Sequence, residues 1–220
     1  MPRDGTSTRE RLLRAGARLL ARDGVHGALT RDIVRAAGQS NDSAVQYHFG
    51  SRQGLLVEIL DRHVRAMEEQ RKPALDALGP SPGLPEALAA VVEPVAEELV
   101  TEEGRDFLRI IAQLAGQAGT RTGSVPDPLV GTALAAQLEL LERAVRARLP
   151  EPLAVERVAL VITMLTAALA DRARRIDDEL PVLLEHREFV ANLVAMLTAA
   201  VGAPEGRGPD FQPTGRAVSG

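Results

Sequence analysis

Apolar residues recur every three to four positions through nearly all of this chain, and no stretch alternates as a half-buried strand must. That period restricts the fold to packed helices. Gly24, Gly38, Gly50, Pro73, Gly79 to Pro85, Gly119 to Pro128, Pro150, Pro152 and Pro181 interrupt the pattern, and such residues stop or bend helices for steric reasons. An all-α protein of about nine helices is predicted.

Composition agrees and removes several function classes. Residues of the AVILMFWYC set make up 45% of the sequence while aromatics are 2%, a balance that favours helix over a strand-rich sandwich. With no cysteine, disulfides and thiolate metal sites are impossible and a reducing cytoplasm is the expected location. His26, His48, His63 and His186 are dispersed, with no pair at metal-ligand spacing, so neither metal nor other cofactor is expected. Glu97, Glu98, Glu102 and Glu103 read as a solvated acidic face, and no nucleophile and base can be paired, so an enzyme is not expected. Arg9, Arg11, Arg14, Arg18 and Arg22 break up any signal-peptide-like segment. The longest apolar run, Val158 to Ala170, falls short of the ~20 residues of a bilayer span, so no membrane partner is predicted.

Charge is divided unevenly along the chain. Residues 1 to 52 hold nine arginines against five acids, a net +4, and the remainder carries −8. A basic head on an acidic body turns the head toward phosphate.

The head divides into short helices. Ser7 to Glu10 has the spacing of a capping box, so the first helix is predicted to start there and to end near Asp23, before Gly24. Thr30 is read as the cap of a two-turn helix with Ile33, Val34 and Ala37 inward and Gly38 after it. A third helix follows the polar group Ser40, Asn41, Asp42 and Ser43, and Ser51 caps a fourth that should reach Lys72. Further helices are predicted over Pro85 to about Thr101, with a kink at Pro94, Arg105 to Ala118, Pro128 to Leu149, Leu153 to Asp177, and Glu185 to Val201. Residues 202 to 220, with five Gly and three Pro, are expected to form a disordered tail.

Helix, glycine turn and second helix over Thr30 to Phe49 make the arrangement that lays one helix across a DNA backbone and the next in the major groove. Base edges differ in hydrogen-bond pattern, so the polar residues Asn41, Asp42, Ser43, Gln46 and Tyr47 are candidate readers, Gln46 foremost, with His48 near DNA at the helix end. Thr30, Arg31, Ser40 and Arg52 sit at helix beginnings, where side chain and free amides together suit phosphate. An ordinary helical hairpin would share the spacing.

Gly24, Ala28, Thr30, Ile33, Ala36, Ala37, Gly38, then Tyr47, His48, Phe49, Gly50, Ser51, Arg52, Leu55 and Leu56 resemble the N-terminal domain of the TetR family of repressors, over about residues 8 to 60. The resemblance implies a three-helix helix-turn-helix head (residues 1 to 52), a helical ligand-binding and dimerisation body (53 to 201), a homodimer on a palindromic double-stranded DNA operator, and a small-molecule effector. Two departures concern the reading surface: one extra residue lies between Gly38 and Val45, and Gln46 stands where the family commonly has tyrosine.

In the body, polar residues on apolar helices suggest a ligand pocket at Gln113, Gln117, Thr163 and Thr166, walled by Phe107, Ile110 and Leu114. Small residues at Ala159, Ala167 and Ala170 let another helix approach closely, and Phe189, Leu193, Met196, Leu197 and Ala200 form an apolar face on the last helix. The resemblance implies that these two helices make the dimer interface, the alternative being that both serve the core of their own chain. A small-molecule carrier or enzyme on a helical bundle, and a helical protein-interaction module, are the competing readings; only the repressor uses the basic head.

Overall fold

The computed structural model describes residues 5–41, 43–118 and 132–204. Among them the chain is all-α: α1 (Gly5–Asp23), α2 (Thr30–Ala36), α3 (Ala44–Phe49), α4 (Arg52–Leu78), α5 (Leu84–Ala96), a 3-10 turn (Glu97–Val100), α6 (Glu102–Ala118), α7 (Ala133–Arg146), α8 (Glu151–Asp177) and α9 (His186–Val201). Segment 119–131, with the start expected at Pro128, and most of the expected tail lie outside the described residues.

Several predicted ends move. α1 begins at Gly5, so Ser7 lies within its first turn and the capping box there is not formed. Leu29, in extended conformation, is the N-cap of α2, and Thr30 is its first helical residue with no capping bond. α6 begins at Glu102, where two acids favour the positive helix end, and α8 begins at Glu151 with Pro152 in its first turn. α4 runs through Pro73 to Leu78 instead of stopping at Lys72. Pro73 and Glu69, whose carbonyl loses its amide partner there, are both exposed residues, so the break falls on the solvent side of the helix. Pro94 lies within α5, which gives way to the 3-10 turn three residues later. Ser51 does cap α4, its Oγ accepting the Gly54 amide at 2.9 Å.

Two apolar cores result. The first joins Leu12, Leu20, Ile33, Val34 and Val45 to Leu55, Leu56 and Ile59 of α4 and Ile110 of α6. The boundary expected at residue 52 therefore falls inside this core. Close packing of α1 on α4 rests on Gly16, where a Cβ would stand 2.9 Å from Leu55 Cδ2. The second core gathers α5, α6, α7, α8 and α9 around Leu88, Val92, Leu108, Leu141, Leu169 and Leu197. α4 and α6 contribute to both cores, so the head is tied to the body by continuous helices.

α8 has an 18-residue window of mean hydropathy 1.9, long and apolar enough by composition alone to cross a bilayer, which the run Val158 to Ala170 did not reveal. Its Val158, Val161, Leu165 and Leu169 are instead core residues, while only 39% of that window is buried. Leu160 and Met164 remain exposed.

Candidate nucleic-acid interface

The turn between α2 and α3 is made by backbone bonds around Gly38. The Gly38 amide donates to Arg35 O and the Gln39 amide to Val34 O, both at 3.0 Å, which is the paired closure of a Schellman motif. Gly38 takes φ +68°, in the left-handed region that costs a Cβ-bearing residue about 1–2 kcal/mol. The chain then bends at Asn41, whose Oδ1 accepts the Ser43 amide at 2.9 Å. Ser43 itself makes no capping bond to α3.

α3 is seated by Val45, which is buried, and by half-buried Ala44 and Phe49 packed on the first core. Its other side is bare. Asn41, Ser43 and Gln46 are exposed, Tyr47 is 84% exposed, and His48 is half-buried with its ring edge-on to Tyr47 at 4.9 Å. Asp42 lies outside the described residues. Ser40 and Arg31 are exposed and Thr30 is half-buried on the neighbouring elements.

Arg52 has a different environment from that expected of a phosphate ligand. Its Nε donates to Ala28 O at 2.9 Å and its Nη2 to Val25 O, so the guanidinium closes the loop between α1 and α2. The α1 arginines are likewise engaged with carboxylates: Arg9 with Glu58 at 2.6 Å, Arg14 with Glu103 at 2.8 Å, and Arg18 with Glu102 at 3.2 Å. The basic head is thus partly neutralised by carboxylates of α4 and α6, on which α1 packs. These exposed pairs set orientation more than they stabilise.

The residues predicted to form a pocket do not converge. Ile110 is fully buried in the first core and Leu114 packs beside it, while Phe107 belongs to the second core and stacks on His63 with centroids 4.6 Å apart. Gln113 reaches the head: its Oε1 accepts the Val25 amide at 2.7 Å and its Nε2 donates to Leu20 O and Ala21 O at 3.4 Å. Thr163 and Thr166 return their hydroxyls to their own helix, at Ala159 O and Ile162 O. The Gln117 side chain lies outside the described residues. A cleft of about 260 Å³ between α4 and the 3-10 turn, with His63, Met67, Glu97 and Glu98 among its lining, includes none of the seven.

The expected dimer residues also divide. Leu193 and Leu197 are buried in the core of their own chain, and half-buried Phe189 packs on that core under the Arg172 guanidinium. Ala167 and Met196 are exposed, whereas Ala159, Ala170 and Ala200 are half-buried. Leu160 and Met164, outside the expected set, are exposed and share one helical stripe with Ala167.

A short helix locked through a glycine turn to a second one, with the second presenting a polar, solvent-facing side, defines a helix-turn-helix DNA-binding protein. Residues 12–59 match the model of the bacterial regulatory proteins of the tetR family. No curated protein matches the chain. Among solved structures, a TetR-family transcriptional regulator from Rhodococcus sp. aligns with TM-score 0.49 at 16% identity, covering 88% of this chain and 98% of that one. A transcriptional regulator from Rhodococcus sp. Rha1 gives TM-score 0.45 at 18% identity, over 88% and 95% of the two chains. Salmonella enterica GusR gives 0.42 at 18% identity, over 89% and 95%. Residues 12–59 are thus an N-terminal domain of the type found in the tetR family of bacterial regulatory proteins, which makes the chain a DNA-binding transcriptional regulator.

Proposed function

We propose that the protein is a homodimeric repressor that leaves a palindromic operator when a small molecule binds its helical body. The supporting observation is the uncovered polar side of α3, held out by buried Val45 on its opposite side. Gln46, Tyr47, Asn41 and Ser43 meet base edges in this reading, with His48 beside them, and Thr30, Arg31 and Ser40 hold phosphates. Arg52 supports this surface from below by fixing the loop ahead of α2.

Two-fold pairing would place the α3 helices roughly 34–36 Å apart, one turn of DNA. α8 and α9 carry the surface for it: Leu160, Met164 and Ala167 on one, Met196 and Ala199 on the other, all exposed at helical spacing. Effector binding would reach the head through α4 and α6, the helices shared by both cores. Titration against the DNA flanking its own gene tests the reading. Specific binding should exceed that to random duplex by ~10³ or more at physiological salt, and equal affinity for both would refute it.

A further inference from the structure

Arg71 of α4 and Gln137 of α7 are both completely buried in the helical body. Arg71 Nη1 donates to Gln137 Oε1, and Nη2 lies 3.7 Å from Met67 Sδ. Because the guanidinium can only donate, Gln137 must turn its oxygen toward it and its amide nitrogen away. Among the described residues two donors at this place are left over: Arg71 Nε and Gln137 Nε2 have no hydrogen-bond partner.

The charge is answered only at a distance, by the Glu68 carboxylate, whose pull burial outweighs. Glu68, one turn away, is held at the start of α7 by the amides of Ala133 at 2.7 Å and Leu134 at 3.2 Å, and among the described residues Arg71 makes no ion pair. Arg109, also in the body, likewise leaves its Nε without a partner, but Asp106 and Asp177 both pair with its charge, so the contrast lies in the missing carboxylate and not in the idle Nε. Burial pushes the Arg71 guanidinium down to about 10, still charged at neutral pH. A buried cation with an idle N–H beside an amide with an idle NH2 costs several kcal/mol unless an anion arrives.

One positive charge and these donors match a carboxylate, whose two oxygens accept in-plane N–H groups; a dianionic phosphate would bring in a second uncompensated charge. The surroundings are apolar, with Met67 one turn before Arg71 and Leu141 one turn after Gln137. We propose that Arg71 and Gln137 hold the carboxylate of an apolar, monoanionic small molecule, and that this molecule is the effector. The second half rests on the repressor reading above. Arg71 lies sixteen residues along α4 from Leu55 of the head core, about 24 Å on one helix, so displacement of α4 at the ligand is carried to the head.

Straight-chain carboxylates from butanoate to dodecanoate, each paired with its neutral amide, are the probes for the full-length protein. At a hundred times its Kd the best carboxylate should raise Tm by roughly 5–10 °C, and its amide by far less. The double variant R71M/Q137L removes both partners together, so it should fold with a Tm at or above the wild-type value and lose the carboxylate shift. No shift with any carboxylate, an equal shift with the amide, or a shift retained in R71M/Q137L each overturns the site. Operator release is read separately by fluorescence anisotropy. An Arg71-dependent Tm shift that leaves operator affinity unchanged upholds the carboxylate site and overturns its role as effector site.

Discussion

Gln113 Oε1 accepts the backbone N–H of Val25 at 2.7 Å, joining the middle of α6 to the loop that follows α1. Val25 is buried, so no water replaces that acceptor when it is removed. Gln113→Ala should destabilise the protein by about 1–3 kcal/mol, the cost of a stranded buried amide. Urea unfolding gives the energy, and amide exchange at Val25 gives the location. Unchanged protection of Val25 in the variant would show that the bond does not couple body to head.

Arg52 separates two roles that the same residue could play. Its guanidinium bridges the carbonyls of Val25 and Ala28, and a lysine has no planar fork to reach both. Arg52→Ala and Arg52→Lys should both lower stability, the alanine by about 1–3 kcal/mol. The salt dependence of operator binding by the folded variants should stay as in wild type. A slope reduced by about one would assign Arg52 to a phosphate instead.

The head and the body differ in how much of them can be read from the chain. Gly38 and the buried trio Ile33, Val34 and Ala37 announce the helix-turn-helix because a glycine stop and a short apolar face are local signals. Thr30 misled at the cap because a hydroxyl residue serves equally well one position inside the helix, where Leu29 supplies the extended backbone. Gln113, Ile110 and Arg71 owe their roles to which helices meet, and periodicity identifies a face without naming its partner. Leu193 and Leu160 are the same residue type at similar spacing, yet one is covered by its own chain and the other is bare.

Asp106 gives the protein a pH-dependent term. Desolvation by burial outweighs the pull of Arg109 3.4 Å away, and nearby Asp177 adds to it, lifting the carboxyl to about 6. The native state therefore holds the proton more tightly than the unfolded chain does. The stabilisation is complete below the ordinary carboxylate value of about 3.9 and is lost as pH rises through about 6. Asp106→Asn, neutral at every pH and still able to accept from Arg109, should be more stable than wild type at pH 7.5, by up to about 3 kcal/mol. Urea midpoints from pH 4 to 8 should show that advantage shrinking as pH falls; a gap independent of pH would contradict it.

Leu160 and Met164 lie on a side of α8 that the chain itself leaves open, so placing charge there should not harm the fold. The double variant Leu160→Glu, Met164→Glu should keep a helical, cooperatively melting chain and shift it from dimer to monomer by light scattering. Leu193→Glu, whose side chain is buried, should instead lose several kcal/mol and unfold. A dimer that survives the double charge would move the interface off this stripe. Operator affinity should fall with the dimer, since a monomer presents one α3 to one half-site.

Gln46 is exposed on α3 one residue past the buried Val45 that anchors the helix, so its truncation should alter recognition without touching stability. Its amide offers a donor and an acceptor together, a match for an adenine edge, and such a pair discriminates by about 1–3 kcal/mol. Gln46→Ala should thus lose preference at one base pair in each half-site while its salt slope stays unchanged, because no phosphate contact is lost. Selection from randomised half-sites reads this out. Uniform weakening across all sequences would place Gln46 on the DNA backbone and leave the exposed Tyr47 as the base reader.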